Sequence, residues 1–191
     1  FYQGDYARAA TRWQECRSIV RAQGDPHGEA LMLGNLGALA VMRGDLGEGE
    51  ALLSETLSLQ RQLGNPRLIA STLVNLGEIR EAQGDEADAF ALYNEAVALF
   101  RQIDDRVSEA LAQVRLAKLA HRHHDTPRAV QLLATSAHVL AESGDRFGCM
   151  ETIEELAQIV AQTREPEIAV ELFGVVDTMR AAINSPRRET D

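Results

Sequence analysis

Cysteine is nearly missing from this sequence: Cys16 and Cys149 are the only two, far apart and in no CxxC pattern. That usage argues against a disulfide framework and fits free thiols in a reducing cytosol, so a cytoplasmic setting is expected. Aromatic residues are scarce, at 5%. Alanine and leucine abound instead, a balance that favours helix. No apolar run reaches the roughly 18 residues of a membrane span, and no signal peptide opens the chain. Positive charge is short as well. Against 29 Asp and Glu stand 19 Lys and Arg, giving a net charge of −10 and a pI near 5.0. Such a chain repels nucleic acid and anionic membrane, which argues against direct contact with either. Basic and apolar partners remain. Lys118 is the only lysine beside 18 arginines, a bias associated with GC-rich bacterial genomes. The opening "FYQGDY" lacks Met and falls inside a motif, as expected of a piece of a longer protein.

What the sequence has is repetition. "LGNLGALAVMRGD" (Leu33–Asp45) returns as "LVNLGEIREAQGD" (Leu73–Asp85). Turn marks recur at Gly4-Asp5, Gly24-Asp25, Gly44-Asp45, Gly64-Asn65, Gly84-Asp85, Asp104-Asp105, His124-Asp125, Gly144-Asp145 and Arg164-Glu165. Glycine ends a helix in the left-handed conformation, and Asp or Asn caps the next one. Proline follows at Pro26, Pro66, Pro127 and Pro166, in a first helical turn that tolerates it. Between the marks lie helices of roughly 16 residues, about 24 Å each. The expectation is an all-α chain of about nine helices in antiparallel hairpins.

A longer period sits on top. Residues 26–43, 66–83, 106–123 and 146–163 form one helix type, A. Residues 5–22, 46–63, 86–103, 126–143 and 166–183 form the other, B. The B helices carry a small residue at Ala9, Gly49, Ala89, Ala129 and Ala169, then a bulky one at Trp13, Leu53, Tyr93, Leu133 and Phe173. The A helices carry Leu36-Gly37, Leu76-Gly77, Leu116-Ala117 and Leu156-Ala157. Small residues admit a close approach of backbones, and the bulky ones are expected to fill the gap between neighbouring hairpins. One hairpin cannot bury such a face alone, so a stack is required.

This spacing, L-G-x6-G-D-x3-A-x3-[FYWL], resembles the tetratricopeptide repeat over nearly the whole chain. The resemblance implies a right-handed superhelical solenoid: one array over 1–183, with a leading B helix at 5–22. Repeats follow at about 26–63, 66–103, 106–143 and 146–183, and 184–191 form a polar tail or linker. The repeat is longer than the standard form, as in kinesin light chains, animal spindle-orientation adaptors and bacterial signalling regulators. "AVELFGVVDTMRAAI" (Ala169–Ile183) is similar to the closing helix of repeat regions in multidomain ATPase and LuxR-type regulators.

The resemblance also implies a binding face, since A helices line the concave surface of such arrays. Carried over by position, the candidate groove residues are Asn35, Met42, Asn75, Glu78, Glu81, Arg115, Lys118, His121, Arg122 and Glu154. Asn35 and Asn75 are equivalent; an amide both donates and accepts, so a ladder of them suits a peptide backbone. The alternative is that they pair across neighbouring helices. Arg115, Lys118, His121 and Arg122 form a basic band at helical spacing. Such a band suits an acidic side chain or a C-terminal carboxylate. It equally suits internal pairing with Glu78, Glu81, Glu154 and Glu155.

Other constellations are weaker. "HRHHD" (His121–Asp125) has histidines at i and i+3, but no Cys or Glu completes a metal set. Cys16 occupies a column of small core residues, Cys149 a first helical turn, and neither has an identifiable base. "GDLGEGEA" (Gly44–Ala51) lacks the Lys-Ser/Thr of a phosphate loop. No catalytic residue, metal site or cofactor is assigned. The expected function is non-catalytic binding of a peptide or protein segment, as a sensor or scaffold arm of a larger bacterial regulator. Two alternatives stand beside it. One is a structural array that packs on its own flanking domains or self-associates through an open edge at Phe1 and Tyr2. The other is a small-molecule-sensing arm of a transcriptional activator, which the lack of aromatics on the groove face disfavours.

Overall fold

The computed structural model describes residues 3–163 and 166–184. Among the described residues there are nine α-helices and no strand: α1 (Gln3–Ala22), α2 (Pro26–Met42), α3 (Leu46–Leu63), α4 (Pro66–Ala82), α5 (Glu86–Gln102), α6 (Arg106–Arg122), α7 (Thr126–Ser143), α8 (Arg146–Ala161) and α9 (Pro166–Asn184). Phe1, Tyr2, the Arg164-Glu165 turn mark and residues 185–191 of the tail lie outside the described residues.

Seven of the turn marks act as their chemistry requires; Gly4-Asp5 instead lies within α1, which begins at Gln3. Asp25, Asp45, Asn65, Asp85, Asp105, Asp125 and Asp145 each accept a hydrogen bond from the backbone N–H three residues on. Each satisfies a donor that the first helical turn leaves unpaired. The preceding residue is left-handed at Gly24, Gly44, Gly64, Gly84 and Gly144. Where glycine is missing, the backbone keeps that conformation: Asp104 has φ 55° and His124 φ 63°. A side chain there crowds its own carbonyl. We expect His124→Gly to raise stability by about 0.5–1 kcal/mol, read as a higher urea midpoint. An unchanged or lowered midpoint would mean that the imidazole compensates.

The chain clusters into two compact units, Phe1–Asp104 and Asp105–Asp191. In the first, α2 with α3 and α4 with α5 form hairpins. A Cβ on Gly34, Gly37 or Gly49 would meet Thr56, Leu53 or Val41 respectively, a descending register that makes the pair antiparallel. Leu53 serves two neighbours. It fills the space at Gly37 in its own hairpin and clusters with Leu76 and Ile79 of the next. The bulky column therefore fills the hairpin interior as well as the gap between hairpins. Tyr93 does the same at Gly77, fully buried. The second unit repeats the scheme with α6–α7 and α8–α9. Leu133 joins Ala117 of its own hairpin and Leu156, Ile159 and Val160 of the next in one core. A second cluster holds Ala110, Leu140 and Cys149.

Cys16 departs from expectation. Its column is core at Thr56, Ala96, Ser136 and Val176, all buried, yet Cys16 is exposed. That column faces the A helix of the same hairpin, as Thr56 faces Gly34. Among the described residues α1 packs on α2, and no A helix covers its other side.

Candidate functional site

The A helices carry one open face each, at positions spaced i, i+4, i+7 and i+11. In α2 these are Leu31, Asn35, Ala38 and Met42; in α4 they are Ser71, Asn75, Glu78 and Ala82. Leu31 is 47% and Met42 64% exposed, high for side chains of that size. Asn35 and Asn75 are half-buried between the exposed ends. Among the described residues neither amide has a hydrogen-bond partner in the protein, so the pairing across helices that would have used them up is not formed. Glu78 lies on the same face. Glu81 is turned inward, its Oε2 accepting from the Tyr93 hydroxyl at 2.9 Å within the α4–α5 hairpin.

In the second unit the same positions are Leu111, Arg115, Lys118 and Arg122 on α6, and Glu151, Glu155, Gln158 and Gln162 on α8. Internal pairing is present here. Lys118 Nζ lies 2.8 Å from Glu155 Oε2, joining α6 to α8. Glu154 accepts from Arg180 at 2.9 Å, within the α8–α9 hairpin. Arg115 and Arg122 are engaged as well. His121 shares the column of Val41 and Glu81, which faces the hairpin interior, and its Nδ1 is buried without a hydrogen-bond partner. The expected band is thus divided: Arg115, Lys118 and Arg122 line the open face, and His121 turns away from it.

Several polar contacts do not follow from the repeat pattern. Glu50 accepts from Arg80 at 2.6 Å and from Gln83 at 3.1 Å. These hydrogen bonds, Gln83 first, hold its carboxyl below the usual range. Thr72 donates to the Gln60 side-chain oxygen at 2.8 Å in a buried contact between α3 and α4. The signal for both lies in columns that switch from polar to apolar along the chain: Glu50 becomes Phe90 and Val130, and Gln60 becomes Phe100 and Leu140. Cys149 is buried, and burial followed by the Asp145 charge raises its thiol pKa; a thiolate is disfavoured there. Among the described residues no three His, Cys, Asp or Glu side chains group as metal ligands, and no helix is long and apolar enough to cross a membrane.

The Tetratricopeptide repeat family pattern matches residues 29–102 and 68–142. Solved structures share the fold at low identity. BtubC (BKLC) from P. vanneervenii is 21% identical, with a TM-score of 0.81 over 99% of this chain and 80% of that one. A putative kinesin light chain from Podosopora anserina, with nearly identical TPR-like repeats, is 18% identical, with a TM-score of 0.71 over 94% and 89%. A Signal Transduction ATPase with Numerous Domains from Pyrococcus horikoshii, which has a tetratricopeptide repeat sensor, is 13% identical. Its TM-score is 0.66 over 91% of this chain and 30% of that one. No protein of curated function matches the sequence.

Proposed function

We propose that this chain, which belongs to the tetratricopeptide repeat family, holds an extended peptide on the open face of α2 and α4. Members of the family are generally non-catalytic modules that bind proteins. The observation that carries the proposal is the pair Asn35 and Asn75, one repeat apart, half-buried and without a hydrogen-bond partner among the described residues. Each amide can accept one backbone N–H and donate to one backbone C=O, the pattern a strand-like peptide repeats along its length. Leu31 and Met42 flank them as apolar contacts whose burial on binding is favourable.

Glu78 extends the face in the first unit, while Glu81 faces Tyr93 inside the hairpin. Arg115, Lys118, Arg122 and Glu154 form the proposed face of the second unit, while His121 faces its hairpin interior. A ligand of the second unit's face competes with the Lys118–Glu155 and Glu154–Arg180 pairs, so the charges there contribute specificity more than affinity. The 40-residue register runs unbroken through residues 104 and 105, and one stretch of the family match crosses them. Both facts support reading 1–183 as one repeat array. The proposed setting is a cytoplasmic sensor or scaffold arm of a larger regulator, and the sensor of the Pyrococcus horikoshii protein supports it by analogy of fold.

The test is selection of linear peptides from a random display library. Selected peptides are then titrated against the wild-type chain and the Asn35→Ala/Asn75→Ala double variant. Loss of two to four peptide hydrogen bonds predicts about 10–100-fold weaker binding with unchanged circular dichroism. Arg115→Glu with Arg122→Glu is expected to alter which sequences are selected. Equal affinity of the wild type and the asparagine variant, or an empty selection, would refute the proposal.

A further inference from the structure

α9 differs from every other B helix on the flank that its neighbours keep polar. The column of Ile168 reads Arg8, Glu48, Asp88 and Arg128 in the others; that of Val175 reads Glu15, Glu55, Glu95 and Thr135. Ile168 and Val175 are 44% and 46% exposed. With Leu172, Met179 and Ala182 they form a stripe at i, i+4, i+7, i+11 and i+14, about 21 Å long. Its inner edge is anchored. Leu172 packs on the core of Leu133, Leu156 and Ile159, and Met179 packs on that of Leu140 and Cys149. The outer edge, Ile168, Val175 and Ala182, lies open.

That spacing is the seam by which one α-helix packs along another, with alternating steps of four and three. The rim is acidic. Glu167 and Glu171 are exposed beside the stripe, and neither has an ion-pair partner among the described residues. The one arginine of α9, Arg180, is taken by Glu154 and Asp177. In the column of Val175, Glu55 pairs with Arg17 and Glu95 with Arg61, so in the first unit ion pairs between successive B helices bridge this flank.

We propose that the α9 flank is a docking site for an amphipathic helix of a partner protein. That helix carries an aliphatic seam edged with Lys or Arg, which meets Glu167 and Glu171. The apolar seam supplies affinity and the charge edge selects orientation and partner. The site shares no residue with the α2–α4 face and stands whether or not a peptide binds there.

The probe is a synthetic helical peptide with Leu at the a and d heptad positions and Lys at e and g, titrated by fluorescence anisotropy against the whole chain. Saturable binding is expected, weakened about tenfold or more by Val175→Glu and by Ile168→Glu and unchanged by Asn35→Ala/Asn75→Ala. Glutamate is already the residue at Glu15, Glu55 and Glu95 in that column, so the substitution suits the fold. It also adds negative charge, so simple attraction of a basic peptide to an acidic protein predicts tighter binding, the opposite sign. Binding that Val175→Glu leaves unchanged or strengthens would overturn the proposal. Equal binding of a peptide with Glu at e and g would overturn its charge edge. Sedimentation that shows self-association dissolved by Val175→Glu, without peptide binding, would replace the partner helix by a second copy.

Discussion

Gly77→Ala is expected to destabilise the first unit by about 2–3 kcal/mol, a large effect for one methyl group. The new Cβ would fall on Cε1 and Cδ1 of the Tyr93 ring. That ring is fully buried and its hydroxyl is held by Glu81, so it cannot swing aside without losing the hydrogen bond. Gly37→Ala is the milder comparison. There the Cβ would lie 2.7 Å from Leu53 Cγ and 2.9 Å from Cδ2, and a leucine can change rotamer. The repeat itself supplies a rescue, since Ala117 packs with Leu133 in the same core of the second unit. In Gly77→Ala/Tyr93→Leu the pair becomes that one. Tyr93→Leu alone leaves a void and removes the donor to Glu81. The double variant should therefore cost less than the sum of the two singles by about 1–3 kcal/mol. Urea unfolding of the four proteins measures this. Strict additivity would mean that Gly77 and Tyr93 do not constrain each other.

Punctuation explains why the helix order and boundaries could be read from sequence. Each turn needs a left-handed residue and then a side-chain acceptor, and those demands fall on few residue types. Asp104 and His124 show that the frame is stronger than any one residue: they hold the left-handed position because the caps Asp105 and Asp125 follow in register. Pairing among polar side chains was harder to foresee. Lys118 had acidic candidates on both sides, and only the three-dimensional face selects Glu155. Spacing places His121 and Glu81 with the groove set, yet a single residue step, about 100° around the helix, separates a side chain on the open face from one facing the hairpin interior. The α9 stripe shows the opposite failure. Its residues are plain in the sequence, but a repeat compared for what its copies share hides the column where one copy departs.

Gln60 and Thr72 yield the second large effect, and its size depends on which partner is removed. Both side chains are buried, at 3% and 4% exposure, and Thr72 donates to Gln60 across the α3–α4 contact at 2.8 Å. Thr72→Val preserves shape and leaves the Gln60 oxygen buried without its donor. A buried unsatisfied acceptor costs about 1–3 kcal/mol, and a loss near the top of that range is expected because valine offers no substitute. Gln60→Leu removes the acceptor instead. The threonine hydroxyl then has another outlet, the carbonyl four residues back. Thr152, in the column of Thr72, uses that outlet, donating to the Gly148 carbonyl at 2.7 Å. Its column partner is Leu140, fully buried, so the second unit already displays the state that Gln60→Leu would create. The expected result is a change within about 1 kcal/mol of wild type, in either direction. Amide exchange in α3 and α4, with urea midpoints, separates the two variants. Equal losses would mean that the hydrogen bond contributes through its geometry, fixing the register of the two hairpins, and not through satisfaction of a buried oxygen.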